Sequence, residues 1–246
     1  MPAVKPQFTN ILLVVLLALT AWHAFWKPDP PNNQLRLVFT AEANGKDLVF
    51  DQFLYENPSG PGQFRVQNFR FYISNIQLSG EDGTYFEPDS YHLVRFGSQS
   101  NKSSIELNNV LLKSYSSLSF SVGIDEPANS SIEPRGDLDP NSQMAWNWEV
   151  GYKFVVFEGS LKMGESIQPL VYHVGFSENR RDLLFTRPIE EDLIGTSEVS
   201  FKVDVMKLFD SASVLNLAQL QSVKFDRQDA RVLAENYSRM FSIEEN

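Results

Sequence analysis

FRFYISNIQL, residues 69 to 78, sets Phe69, Phe71 and Ile73 in alternation with Arg70, Tyr72 and Ser74, and GEDG follows at residues 80 to 83. A period of two that ends in a Gly-Asp turn signal is the pattern of a strand with one face on a core. The same pattern recurs on both sides of it. LRLVFTAEA (35 to 43) alternates Leu35, Leu37 and Phe39 with Arg36, Val38 and Thr40, and YHLVRF (91 to 96), YSSLSFSVGI (115 to 124), YKFVVFEGSL (152 to 161), PLVYHVGF (169 to 176) and EVSFKVDVMKLF (198 to 209) read alike. At least seven strands separated by Gly, Pro, Asn and Ser clusters, with no long helix between them, predict an all-β, antiparallel β-sandwich, because each one-sided sheet must cover its apolar face with another. Only DARVLAENYSRMF (229 to 241) has helical spacing, through Val232, Leu233, Tyr237 and Met240, and predicts a short C-terminal helix. SIELNNVLLKSY (104 to 115) allows a short helical turn.

The N-terminal end is of a different kind. ILLVVLLALTAWHAFW, Ile11 to Trp26, carries no charge. As a helix rising ~1.5 Å per residue, it is about 24 Å long, close to the ~30 Å of a hydrocarbon layer. Ala21 and Ala24 make poor cleavage sites because Leu19 and Trp22 stand two residues before them, whereas Trp22 and Trp26 suit an interfacial belt. Residues 1–27 therefore read as an uncleaved membrane anchor, with a signal peptide as the alternative. KPDPPNNQ opens a polar linker over residues 28–33, and residues 34–246 form one exported domain. This makes the protein periplasmic, tied to the inner membrane or, if cleaved, soluble.

Composition removes several kinds of function. With Lys5 and Lys27 set aside, 31 acids stand against 19 bases, a formal charge of −12, which repels nucleic acid. The chain has no cysteine, so disulfides, thiolate metal sites and cysteine nucleophiles are excluded. It also lacks a G-x-S-x-G elbow, a P-loop and H-E-x-x-H. Glu190, Glu191 and Asp192 read as a solvated charged run. In GDLDPNSQ (136 to 143), Asp137, Asp139 and Asn141 alternate, but Ser142 stands where a calcium loop needs glycine, so an Asx-type turn is the better reading.

Beyond the anchor there are two histidines, His92 in SYHLVRF and His173 in VYHVGF, each directly after a tyrosine. Alternation puts each on the face opposite its tyrosine, so both can occupy equivalent faces and converge on one metal ion. Two imidazoles suit copper(I), with Met144 as an optional soft neighbour. MAWNWEVGYKF (144 to 154) concentrates Trp146, Trp148, Tyr152 and Phe154. If it is one strand, Trp146, Trp148 and Tyr152 share a face and build the core, with Gly151 marking a bulge or a close approach.

The succession FRFYISNIQL, GEDG, YHLVRF, SFSVGID, GDLDPNSQMAWNWEVGYKFVVFEGS and YHVGF resembles the bacterial MbnP-like domain from about residue 34 to 209, most specifically in the MAWNWEVGYKF segment. The resemblance implies an extracytoplasmic, non-enzymatic β-sandwich. Members studied as copper proteins hold copper(I) with two histidines and a kynurenine made from tryptophan, and a di-haem peroxidase of the MbnH type performs that oxidation as partner. His173 matches the family's late histidine, and His92 is the other imidazole available. The family's modified tryptophan falls near YHLVRF, where this chain has Tyr85, Phe86 and Tyr91, while the MAWNW tryptophans match a shared structural signature. The expected function is copper capture through His92 and His173; the alternative is an interaction module that keeps the fold without a metal.

Overall fold

A computed structural model of the chain describes residues 32–131, 133–147 and 151–244, which belong to one compact body, Asn32–Asn246. The expected anchor and Trp148 lie outside the described residues. Among the described residues there are fifteen strands: β1 (Asn33–Ala43), β2 (Lys46–Asp47), β3 (Tyr55–Glu56), β4 (Gln63–Gly80), β5 (Gly83–Phe86), β6 (Tyr91–Phe96), β7 (Lys102–Val110), β8 (Ser114–Val122), β9 (Ala145–Asn147), β10 (Gly151–Met163), β11 (Ser166–Gly175), β12 (Arg181–Asp192), β13 (Thr196–Asp204), β14 (Ser222–Val223) and β15 (Phe241–Ile243). Helix α1 (Glu126–Asn129) is a single turn, and α2 (Arg227–Tyr237) is the C-terminal helix.

All seven expected strands exist, and they form an all-β sandwich. The smaller sheet runs β15-β13-β1-β2, with β7 also on β1; the larger runs β12-β8-β4-β10-β11-β14, with β3, β5 and β6 on β4 and β9 on β10. The sandwich is not purely antiparallel. β1 lies parallel to β13 from Gln34↔Thr196 to Glu42↔Asp204, and β11 lies parallel to β14. The helical turn expected in residues 104 to 115 is instead β7 and the start of β8, because Ile105 and Leu107 point inward opposite Leu37 and Leu35. The acidic run ends β12, whose register against β8 shifts between Thr186 and Glu191, the segment that contains Pro188.

Between the sheets lies one core. Phe39 stacks on Phe201 at 5.2 Å and meets Phe71 and Phe120 edge-on across the interface at 6.5 and 6.0 Å. Such pairs add ~0.5–1.5 kcal/mol each beyond their buried area. Helix α2 closes one side; Asp226 caps it by accepting from Asp229 N at 2.8 Å, and Ala230, Leu233, Ala234 and Tyr237 are buried. A second, smaller cluster covers the outer face of the larger sheet, made by Tyr72, Tyr91, Leu93, Met144, Tyr152, Phe154 and Val156 with Ile124, Ala128 and Leu138 from the connecting segment.

β4 runs through both clusters. At Phe71 its two neighbours are β6 and β10, and at Ile73 they are β6 and β8, so one edge changes partner within two residues. Asn75 then takes a left-handed φ of 55°, the register against β8 shifts between Ser74 and Gln77, and Asn75 N donates to Ser90 O at 3.0 Å. Asparagine tolerates that conformation better than a β-branched residue does. Asn75→Gly should keep or raise the urea midpoint, whereas Asn75→Val should lose ~1–2 kcal/mol, measured by urea unfolding.

Candidate metal centre

His173 sits on β11 between buried Tyr172 and Val174, so its imidazole points to the outer face of the larger sheet, and its side chain is 14% exposed. Register fixes its neighbours: His173 opposes Val156 on β10, Val156 opposes Arg70 on β4, and Arg70 opposes Arg95 on β6. His173 Nε2 lies 3.0 Å from Glu158 Oε1, and Asn68 Nδ2 donates to Glu158 Oε2 at 2.9 Å. A carboxylate only accepts, so the proton is on Nε2 and the Nδ1 lone pair is left for another partner. A carboxylate that orients the second ring nitrogen in this way is the usual support of a metal-binding imidazole.

The charges around it reinforce that state. Burial lowers the His173 pKa, the bond to Glu158 works against this, and Lys153 and Lys224 push it down again, leaving it below the ordinary 6.5. Burial alone would raise Glu158, but the hydrogen bonds from Asn68 and His173 and the charges of His173 and Arg70 outweigh it, and its pKa is lowered. Neutral imidazole facing ionised carboxylate is therefore the resting pair at neutral pH.

His92 is elsewhere. It opposes Ile73 on β4 and shares a face with Val94 and Phe96, which belong to the core between the sheets. Arg70 and Ile73 are three residues apart within an uninterrupted register, so His173 and His92 lie on opposite faces of one sheet. The expected convergence fails because Tyr91 points outward while Tyr172 points into the core; equivalence to the preceding tyrosine is not equivalence in the sheet. His92 has its own carboxylate, with Nε2 2.8 Å from Glu87 Oε2, which also accepts from Ser90 Oγ at 2.5 Å. Glu87 and Ser90 line a polar cleft of about 550 Å³. Among the described residues, no group of three or more His, Asp or Glu is placed to hold a metal ion.

MAWNWEVGYKF is not one strand. β9 ends at Asn147 and the chain doubles back, pairing Gly151 with Asn147 and Tyr152 with Ala145. Gly151, at φ +83°, does mark both a register shift and a close approach, since a Cβ there would stand 2.5 Å from Asn129 O. Met144, Tyr152 and Phe154 build the outer cluster, but Trp146 belongs to neither core. It is half-buried, 5.5 Å from the Phe176 ring and 5.2 Å from the Phe225 ring. Its six-membered ring covers Gly175, where a Cβ would come within 2.6 Å of Trp146 Cζ3. Gly175 is two residues from His173 on the same strand face, so Trp146 and His173 are neighbours on the outer surface. Asp139 forms the expected Asx turn, accepting from Asn141 N at 2.8 Å and Nδ2 at 3.0 Å, while Asp137 Oδ2 accepts from Leu93 N at 2.8 Å.

Comparison with known proteins agrees with this fold. The model of the MbnP family matches residues 32–226. Among solved structures, MbnP from Methylosinus trichosporium superposes with a TM-score of 0.56 at 18% identity, over 87% of this chain and 98% of that one. A search of curated proteins gives no significant match. The chain belongs to the MbnP family.

Sequence reasoning missed Glu158, Asn68, Lys153 and Lys224, which surround His173; only strand register brings them there. Three measurements test the arrangement. By NMR, His173 should titrate below 6.5, and Lys153→Gln should raise its midpoint by removing a neighbouring cation. Because the folded pKa lies below the unfolded value, His173 stabilises the fold above ~pH 6.5. That contribution falls away as pH drops through the folded midpoint, and His173→Gln should flatten the slope of stability against pH in that window. Gly175→Ala should cost ~1–3 kcal/mol by overpacking and shift tryptophan fluorescence.

Proposed function

We propose that this protein is a non-enzymatic, extracytoplasmic binding protein of the MbnP type, tethered by its N-terminal apolar segment, that captures copper as its cargo through His173. The observation that carries this reading is an imidazole oriented by Glu158, kept neutral by its surroundings, and set beside Trp146. Among the described residues no helix is long and apolar enough to cross a membrane, so the tether is a reading of residues 1–27 alone.

The residues present supply the outer face with one imidazole nitrogen. Met144 is fully buried in the cluster that covers part of this face. Copper(I) takes at least one further donor, and imidazole together with a soft or nitrogen ligand suits it. The family resemblance points to an oxidised tryptophan made by a di-haem peroxidase of the MbnH type; the family's place for it near YHLVRF holds no tryptophan here, and among the described residues Trp146, beside His173, is the candidate in its stead. His92 takes no part in this site. The second reading, an interaction module without metal, draws on the opposite placement of the two histidines.

Copper(I) titration of the purified protein separates these readings. His173→Ala should abolish tight binding, and Glu158→Gln should weaken it by ~10–100-fold through loss of the orienting carboxylate, while His92→Ala should leave it unchanged. Equal uptake by wild type and His173→Ala sinks the copper site. Matching losses in both single histidine variants would restore one shared site. Peptide mass analysis after coexpression with the peroxidase should show oxidation of Trp146; an unmodified peptide removes the peroxidase from the reading. Protonation of His173 should also weaken capture as the pH falls through its lowered pKa.

A further inference from the structure

Most cations with a polar partner in this protein are paired with acids. Arg36 is held by Glu106, Arg135 by Glu133, Arg180 by Asp182, Arg181 by Glu235, Arg227 by Glu178, and Lys202 by Glu42 and Glu244. The outer face around His173 gathers four cations that lack such a partner. Arg70, Arg95, Lys153 and Lys224 form no ion pair among the described residues, and Arg70 Nε is buried without a hydrogen-bond partner. Lys153 Nζ donates only to Gln143 O, at 2.9 Å. Lys153 is pushed below its ordinary pKa by burial and then by the charges of Arg70 and Lys224, so these cations stand close enough to repel. Glu158 lies among them, and Asp137, bound to Leu93 N, borders the β6 end near Arg95. On a chain of formal charge −10, this strip brings four such cations side by side.

The strip crosses β14, β11, β10, β4 and β6, and four strand spacings make it about 19 Å wide. At its β14 end the aromatic group begins. Phe225 follows Lys224 and is 60% exposed, it packs on Trp146, and Arg227 lies over the Phe176 ring at 4.2 Å. Exposed aromatics rimmed by unpaired cations have the composition of a protein-binding surface.

We infer that this outer face, with Lys153, Lys224, Arg70 and Arg95 beside Trp146 and Phe225, is a docking surface for a protein partner that presents a local acidic patch. The charge of the rest of the chain selects the class of partner. An extended polyanion such as a nucleic acid or an anionic bilayer would also meet the acidic remainder of the surface, within a Debye length of ~8–10 Å at moderate salt. A protein patch of strip size meets only the cations. The inference does not depend on copper, and its test uses metal-free protein, so its failure leaves the copper reading untouched.

The test is titration of the full chain with a short oligoglutamate peptide at low salt, followed by amide chemical shifts. Shifts should concentrate on β10, β11 and Lys224 and fade at about 0.15 M salt. Lys153→Glu with Lys224→Glu should weaken binding about tenfold or more at unchanged melting temperature, whereas Arg36→Glu on the smaller sheet should have little effect. Absence of shifts at low salt, equal weakening by Arg36→Glu, or binding to phosphatidylglycerol vesicles without binding to the peptide would each overturn the proposal.

Discussion

β4 hydrogen-bonds to five other strands, and the alternation of its side chains is therefore imposed on the whole larger sheet. Phe69, Phe71 and Ile73 commit one face to the core between the sheets, which commits Arg70 and Tyr72 to the other. Every strand that pairs in register inherits that division. His92 follows Ile73, and His173, through Val156, follows Arg70. Neither imidazole could change face without a one-residue slip that would also move a row of buried phenylalanines, at several kcal/mol for each ring exposed.

The outer face gains its chemistry from a second constraint. A one-layer sheet face would be wet, but the segment from Ile124 to Asn147 lays Leu138 and Met144 across it and buries Tyr72, Phe154 and Val156. The partial cover lowers the local polarity enough to hold His173 neutral, and it leaves the β11 edge open, where Trp146 rests on Gly175. Gly175 is what makes the contact possible, since any side chain would occupy the place of the indole.

Much of the fold was legible in the sequence because period-two alternation reports burial directly: Tyr91–Phe96 coincides with the expected YHLVRF strand at both ends, and the spacing of Leu233 and Tyr237 gave α2. The parallel pairing of β1 with β13 was not legible, because alternation says which face is buried and nothing about the neighbour. Nor was the turn that separates Trp146 from Tyr152. The candidate site was half legible. Histidine scarcity singled out His173, but the assignment of faces needed the register of four strands, and Glu158, Lys153 and Lys224 are ordinary surface charges until that register brings them together.

The parallel pairing has a consequence for how the chain is made. β1 lies next to the start of the body, yet one flank of it is completed by β13, and the contact of Asn33 with Gly195 spans 162 residues. During vectorial synthesis, the first strand of the domain keeps one open, apolar edge until nearly the last strand has emerged. Such long-range closure is slow and exposes sticky surface meanwhile. The smaller sheet is thus the last part to be sealed, and a truncated chain that ends before Thr196 would leave β1 seeking a partner in another molecule.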